Sequence, residues 1–342
     1  MFTLSAADKS RIVSPVLKYV GGKTKLLPEL IQRMPGKFAK YHEPFTGGGA
    51  MFFALAGMGL LNQDQYTNAY LSDANPDVIN LYKALAWNEN AVIQELQLMQ
   101  AHHRENPAVY YINCRQHRNS LALMAAEFVN EPAFTRGHAA PDQLHTSGHT
   151  THASAHASVI WAALTLYLNR TCYNGLWRVN KRGAFNVPLG DYDHQALDLV
   201  REETLRDAAR VLGARHVEGP KRAQVIIRHC DFLCTIQAMT PGDFVYFDPP
   251  YLPISATAKF TNYAREGFGD PEQRSLANVA AELAFRGVHV MVSQADTPYA
   301  RELYAHPLLT VDSVEMPRAI NSKADKRGKV GELIITSRHT HE

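Results

Sequence analysis

The sequence predicts an α/β chain: a Rossmann-like, doubly wound mixed sheet that carries an inserted, mainly helical lobe with a β-hairpin. Three observations lead there. Short apolar strands alternate with helical patterns at both ends of the chain, the mark of βαβ units. Acidic residues stand at the carboxyl ends of several of those strands, the edge at which open α/β sheets bind ligands. Between the two ends, the stretch 81–199 breaks the alternation. With 342 residues and 46% hydrophobic content the chain can bury a full core.

Taken in order, a strand expected at 41–45 runs into Gly47-Gly48-Gly49 and the apolar helix AMFFALAGMGLL. A second strand, 69–72, ends at Asp73 and is followed by the helical pattern NPDVINLYKALAW. From 89 to 128 the pattern is amphipathic, with Ile93, Leu96, Leu98, Val109, Ile112, Leu121 and Met124 as expected core. The segment 131–158 is poor in large apolar residues and reads as a flexible loop. Alternation resumes with strands at QVIIRH, DFVYFD and GVHVMVSQ, and ELIITS at 332–337 is expected to close the sheet. This predicts a catalytic domain over 10–80 and 200–342, with a target-recognition lobe over 81–199.

No apolar run approaches the ~20 residues of a membrane span, and MFTLSAADKSRIVS lacks the apolar core of a signal peptide, so a soluble, cytoplasmic protein is expected. Cys114, Cys172, Cys230 and Cys234 show no paired spacing and are expected to be reduced, buried or half-buried thiols. No metal is expected: His138, His145, His149, His152 and His156 are irregularly spaced, without neighbouring Cys or carboxylate clusters. A net charge of +2 neither requires nor excludes a polyanionic partner, but basic residues cluster at 170–182 and 318–329.

Two motifs carry chemistry. In Glu43-Pro44-Phe45-Thr46-Gly47-Gly48-Gly49 the glycines let backbone approach a ligand closely at a helix N-terminus, although such a turn also serves tight packing. It lacks the GK[ST] and GxGxxG spacings of phosphate and dinucleotide loops. Asp73 falls where nucleotide-binding sheets place a carboxylate for ribose hydroxyls, and could equally cap the next helix. In Asp248-Pro249-Pro250-Tyr251, a carboxylate and a rigidly held proline carbonyl can accept both protons of an amino group, aiming its lone pair at an electrophile. Tyr251 offers a ring face to a flat base.

These residues together resemble the amino-methylating DNA methyltransferases, in the alpha arrangement of motifs, and more closely the Dam-type adenine family. Leu17-Lys18-Tyr19-Val20-Gly21-Gly22-Lys23 is similar to that family's N-terminal cofactor motif, and 169–190 (NRTCYNGLWRVN, then GAFNVPLG) to its DNA-contacting hairpin. The resemblance implies an S-adenosylmethionine-dependent methyltransferase fold that methylates the N6 amino group of adenine in double-stranded DNA. It implies cofactor contacts at Tyr19, Lys23, Phe45, Asp73, Asp231, Phe232 and Asp248, beside the turn of Gly47 and Gly49, and a target adenine held by Asp248, Pro249 and Tyr251.

The adenine must flip out of the duplex to reach such a pocket. On the hairpin, Arg170, Arg178, Lys181 and Arg182 would bind phosphates or guanine edges, Asn174 and Asn180 would read adenine or backbone, and Tyr173, Leu176 and Trp177 would wedge into the stack. A surface hairpin with merely solvated charges is the bland alternative. The resemblance makes GATC a candidate target and a monomer or weak dimer the expected state. Cytosine or RNA is the competing substrate; a catalytically silent DNA-binding regulator is the competing class, against which the intact Lys23, Asp73 and DPPY set argues. No Pro-Cys dipeptide occurs, which disfavours thiol attack on a cytosine ring carbon.

Overall fold

A computed structural model of the chain describes residues 10–18, 23–62, 68–123, 150–213, 224–251, 268–316 and 330–338; Tyr19, Met124 and the basic stretch 318–329 lie outside them. Seven strands form one sheet in the order β3-β2-β1-β4-β5-β7-β6. They are β1 (Tyr41–Glu43), β2 (Ala69–Asp73), β3 (Val225–His229), β4 (Phe244–Phe247), β5 (His289–Ala295), β6 (Leu309–Met316) and β7 (Val330–Ser337). The first five pair in parallel, whereas β7 runs antiparallel to both β5 and β6. Strand order reverses on either side of β1, so the carboxyl ends of β1, β2 and β4 frame the crevice where such sheets bind ligands. The doubly wound mixed sheet is as expected.

The closing strand is not. The stretch containing ELIITS lies inside the sheet between β5 and β6, with Leu333, Ile334 and Ile335 fully buried. The edge is β6, LTVDSVEM, whose polar residues between apolar ones hid it in the sequence; Asp312 and Glu315 there discourage edge pairing.

Nine helices are numbered among the described residues: α1 (Leu27–Arg33), α2 (Ala50–Gly57), α3 (Pro76–Glu105), α4 (Pro107–Leu123), α5 (Thr150–Thr171), α6 (Glu202–Leu212), α7 (Leu233–Ile236), α8 (Asp270–Phe285) and α9 (Pro298–Leu303). Asn75 caps α3 by accepting from the Asp77 N–H at 3.0 Å, and Pro76 fits the first turn. The helix breaks at Asn88, whose side chain restarts it by accepting from Ala91 N–H at 3.1 Å.

The loop expected over 131–158 overlaps α5, which begins at Thr150. Ser158 is fully buried there: its hydroxyl donates to Asn80 Oδ1 at 2.6 Å, and Asn80 Nδ2 donates to its carbonyl at 3.0 Å. Small residues such as Ser158, Ala162 and Ala163 let α5 approach α3 closely, so few large side chains signalled tight packing in this part. The rest of that segment lies outside the described residues. Ile93 and Leu96 are core, as expected, and Leu121 is half-buried; Leu98, Val109 and Ile112 are exposed. The buried stripes are Val92-Leu96-Met99-His103 and Tyr111-Cys114-Arg118; Leu98 and Ile112 fall one position off them and Val109 two.

One core runs from the sheet face beneath α2 and α3 into α5 and the hairpin, so the inserted lobe shares it with the sheet. A second core joins β4, β5 and β7 to α8 and α9. Cys114 and Cys172 are buried and Cys230 half-buried, but Cys234, on short α7, is exposed.

Candidate active site and DNA-facing hairpin

At the end of β1, Glu43 is buried, and one carboxylate oxygen accepts from the Tyr41 hydroxyl (2.7 Å) and the Phe52 N–H (3.0 Å). Burial pushes its carboxyl up to about 8. The turn that follows needs its glycines: Gly47 and Gly49 have φ of 44° and 66°, and a Cβ on Gly49 would lie 3.0 Å from the Phe53 ring. Asp73 holds this turn. One of its oxygens accepts from Gly47 N–H at 2.7 Å and the other from Asn75 N–H at 2.8 Å. The helix cap is therefore Asn75, with Asp73 two residues before it. Burial raises the Asp73 carboxyl, and those two N–H donors oppose the rise.

Phe45 stacks on Phe232 at 5.4 Å, and the edge of Phe268 meets it at 5.3 Å, making an aromatic wall beside the glycine turn. Asp231 is exposed, and its Oδ1 accepts from the N–H groups of Leu233 and Cys234 at 2.9 and 3.2 Å, starting α7.

Asp248 follows β4 and pairs with Lys23 Nζ at 2.8 Å. The same ammonium lies 4.4 Å from the centre of the Tyr251 ring, so Lys23, expected as a cofactor contact, sits on the DPPY motif. Burial raises the Asp248 carboxyl, with the nearby Lys23 charge the largest opposing influence. Tyr251 donates its hydroxyl to Glu332 at 2.8 Å. Gln273 donates to the Pro250 carbonyl at 2.7 Å, and Gln294 donates to Gln273 at 3.1 Å. Gln273 thus braces the motif through Pro250, while no group among the described residues donates to the Pro249 carbonyl.

In the hairpin segment the expectations divide. Tyr173, Asn174, Leu176, Arg178, Lys181 and Arg182 are exposed, with Asn174 in the left-handed region at φ 55°. Arg170 is not available to DNA: it is 3% exposed and its guanidinium donates to the carbonyls of Leu199, Val200 and Val16. It ends the buried helix α5, where the nearest acceptors are backbone oxygens. Trp177 is half-buried against Phe185 at 4.6 Å, so the ring packs the hairpin base and is not a wedge. Asn180 is exposed, but its side-chain Oδ1 accepts from the N–H groups of Arg182 (2.9 Å) and Ala184 (3.1 Å), closing the turn. Asn169 bonds both backbone groups of Lys18 at 2.8 Å, setting the N-terminal motif beside the hairpin.

A family model described as D12 class N6 adenine-specific DNA methyltransferase matches residues 19–319. The chain belongs to that family. It is 31% identical over 335 residues to a type II methyltransferase, M1.LlaDCHI, of Lactococcus lactis subsp. cremoris, covering 98% of this chain and 99% of that protein. It is 33% identical over 323 residues to a DNA adenine methylase of Serratia marcescens (94% and 97% covered). It is 31% identical over 320 residues to a DNA N-6-adenine-methyltransferase of Escherichia phage P1, spanning 93% of this chain and 35% of the phage protein.

The protein is thus an adenine-specific DNA methyltransferase with DNA as substrate. No helix among the described residues is long and apolar enough to cross a membrane, and those residues hold no cluster of three metal-ligating side chains. Three groups around this methyltransferase's DPPY motif escaped the sequence reading: Gln273, Gln294 as a bonding partner, and Glu332. A lone amide in the apolar stripe of Leu276, Ala277 and Ala280 on α8 was the available signal for Gln273.

Proposed function

We propose that Asp248 and the Pro249 carbonyl accept the two protons of a flipped adenine amino group, turning its nitrogen lone pair toward a methyl donor, and that the donor is S-adenosylmethionine. The observation that carries this reading is the environment of Asp248: its carboxyl is desolvated, the Lys23 ammonium at 2.8 Å is the largest influence favouring its ionised form, and the Gln273 bond to Pro250 helps set the motif after β4. As the nitrogen gains the methyl group it loses a proton, which the Asp248 carboxylate is placed to take. Tyr251, anchored by Glu332, flanks the base plane.

The residues fit S-adenosylmethionine. Gly47 and Gly49 give the turn its left-handed backbone beside Asp73, the stacked Phe45 and Phe232 rings offer an edge to an adenine, and each Asp73 oxygen keeps a lone pair beside its backbone bond for a ribose hydroxyl. Asp231 and Lys23 complete the proposed set, together with Gly47 and, outside the described residues, Tyr19. When bound, the cofactor supplies an electrophilic methyl group on a sulfonium.

Arg178, Lys181 and Arg182 provide phosphate or guanine contacts, Asn174 a polar reader, and Tyr173 and Leu176 the exposed apolar surface for a wedge. The division into a catalytic domain (10–80, 200–342) and a recognition lobe (81–199), GATC as target, and a monomer or weak dimer belong to the same proposal.

Incubating the protein with labelled S-adenosylmethionine and plasmid DNA should label N6 of adenine, and Asp248→Ala should abolish transfer while DNA affinity is largely kept. An active Asp248→Ala enzyme overturns the mechanism. Sequencing that detects modified bases in the product reports the target.

A further inference from the structure

A buried cluster that no step above uses connects the acidic end of β2 to the hairpin. Asp77, 1% exposed, lies one helical step beyond Asp73 and its capping neighbour Asn75. Its Oδ1 accepts from Trp161 Nε1 of α5 at 2.7 Å and from Arg118 Nε of α4 at 2.9 Å, and its Oδ2 accepts from Arg118 Nη2. Arg118, 2% exposed, turns its remaining nitrogen toward the hairpin: Nη1 donates to the Gly183 carbonyl at 2.7 Å. It also donates to Asn119 Oδ1 at 3.1 Å, and its guanidinium carbon lies 5.7 Å from the centre of the Trp177 ring.

Asn119 continues the grip. Its Oδ1 accepts from Phe185 N–H at 2.7 Å and its Nδ2 donates to the Phe185 carbonyl at 3.1 Å, so one side chain acts as a rung of sheet beside the hairpin. The hairpin has little ladder of its own, only the isolated bridges Val179–Phe185 and Cys172–Leu189. A two-stranded hairpin of that kind is marginal alone. Its placement relative to the crevice therefore leans on α4, together with the buried Phe185 and Val187.

We propose that Asp77, Arg118 and Asn119 are positioning residues for sequence discrimination: they hold the 176–187 hairpin at a fixed height above the crevice at the end of β2, so that its exposed side chains meet the correct base edges. A buried ion pair contributes little net stability compared with an apolar pair of similar size, but its fork geometry defines one arrangement. Three elements, α3, α4 and the hairpin turn, converge on this one guanidinium. The inference rests on the hairpin reading DNA, as proposed above.

The test is equilibrium binding of the full chain to a duplex containing the sequence it methylates and to a scrambled duplex, by fluorescence anisotropy. The variants are Arg118→Lys, the double variant Asp77→Asn with Arg118→Met, which leaves no charge buried alone, and Asn119→Ala, which removes none. The preference for the methylated sequence should fall about tenfold or more, the scale of one misplaced base contact, while S-adenosylmethionine affinity by calorimetry stays within about twofold. Folding of each variant is checked by its melting curve. Any folded member of the set that keeps the wild-type preference overturns the inference; Asn119→Ala decides it where the charge variants do not fold. Arg178→Ala and Tyr173→Ala separate the two levels. If these lower the preference and the positioning variants do not, only positioning fails; if neither set does, the hairpin reading fails as well.

Discussion

Lys23 and Asp248, far apart along the chain, form a 2.8 Å ion pair beside the face of Tyr251. Desolvation raises the Asp248 carboxyl, and the ammonium opposes it more than any other group. The pair therefore sets the protonation of the group proposed to receive the amino protons.

Replacing that ammonium moves the pH profile in a defined direction. In Lys23→Met the carboxyl loses its largest lowering influence, so its pKa rises and the acid limb of kcat/KM shifts to higher pH. Lys23→Arg should restore the limb toward its original position. An acid limb that stays in place in Lys23→Met would show that Asp248 ionisation does not govern transfer.

Glu43 predicts a stability effect of the opposite kind. Its carboxyl rises from 4.5 to about 8 on folding, so between those values the folded chain holds a proton that the unfolded chain releases. The stability linked to this proton is fully present below the unfolded value and is lost as pH rises through the folded one. Glu43→Gln, which stays neutral, should be more stable to unfolding than the parent at about pH 9, by on the order of a few kcal/mol, with the gap closing toward about pH 5. A gap that widens on acidification is the contrary result.

Two glycines with similar backbone separate strain from site chemistry. Gly49 (φ 66°) faces the Phe53 ring at 3.0 Å from a built Cβ, whereas Gly59 (φ 75°) faces open space. Alanine at either position should cost about 1 kcal/mol of stability from left-handed strain, and more at Gly49, where the Cβ also presses the Phe53 ring. Only Gly49→Ala should also weaken S-adenosylmethionine binding, measurable by calorimetry; equal binding losses at both positions would argue against the glycine turn as the cofactor cradle.

Arg170 and Arg178 lie close in sequence and should behave unlike each other. Arg170→Met strands buried carbonyls of Leu199 and Val200 and should cost about 3 kcal/mol in denaturant unfolding, with the salt dependence of DNA binding unchanged. Arg178→Ala should leave stability nearly intact, lower DNA affinity and reduce the salt slope by about one if it meets a phosphate. The reverse pattern would put Arg170 at the DNA.

The sequence by itself determined what is written in neighbouring residues. Six strands, the glycine turn with Asp73 after β2, and DPPY after β4 are local patterns of polarity and backbone freedom, and a short strand leading into a rigid or flexible turn reads the same in any context. The tertiary structure decided what depends on distant packing. It put Lys23 on Asp248, Gln273 behind Pro250, β7 inside the sheet and Arg170 inside the protein. The same basic residue type is a DNA contact or a buried brace according to what surrounds it: Arg178 faces solvent, while Arg170 and Arg118 meet carbonyls and a carboxylate that only the packed helices bring within reach. Desolvation then fixes the choice, because a buried guanidinium is held where acceptors meet most of its donors, and that condition is absent from the order of the residues.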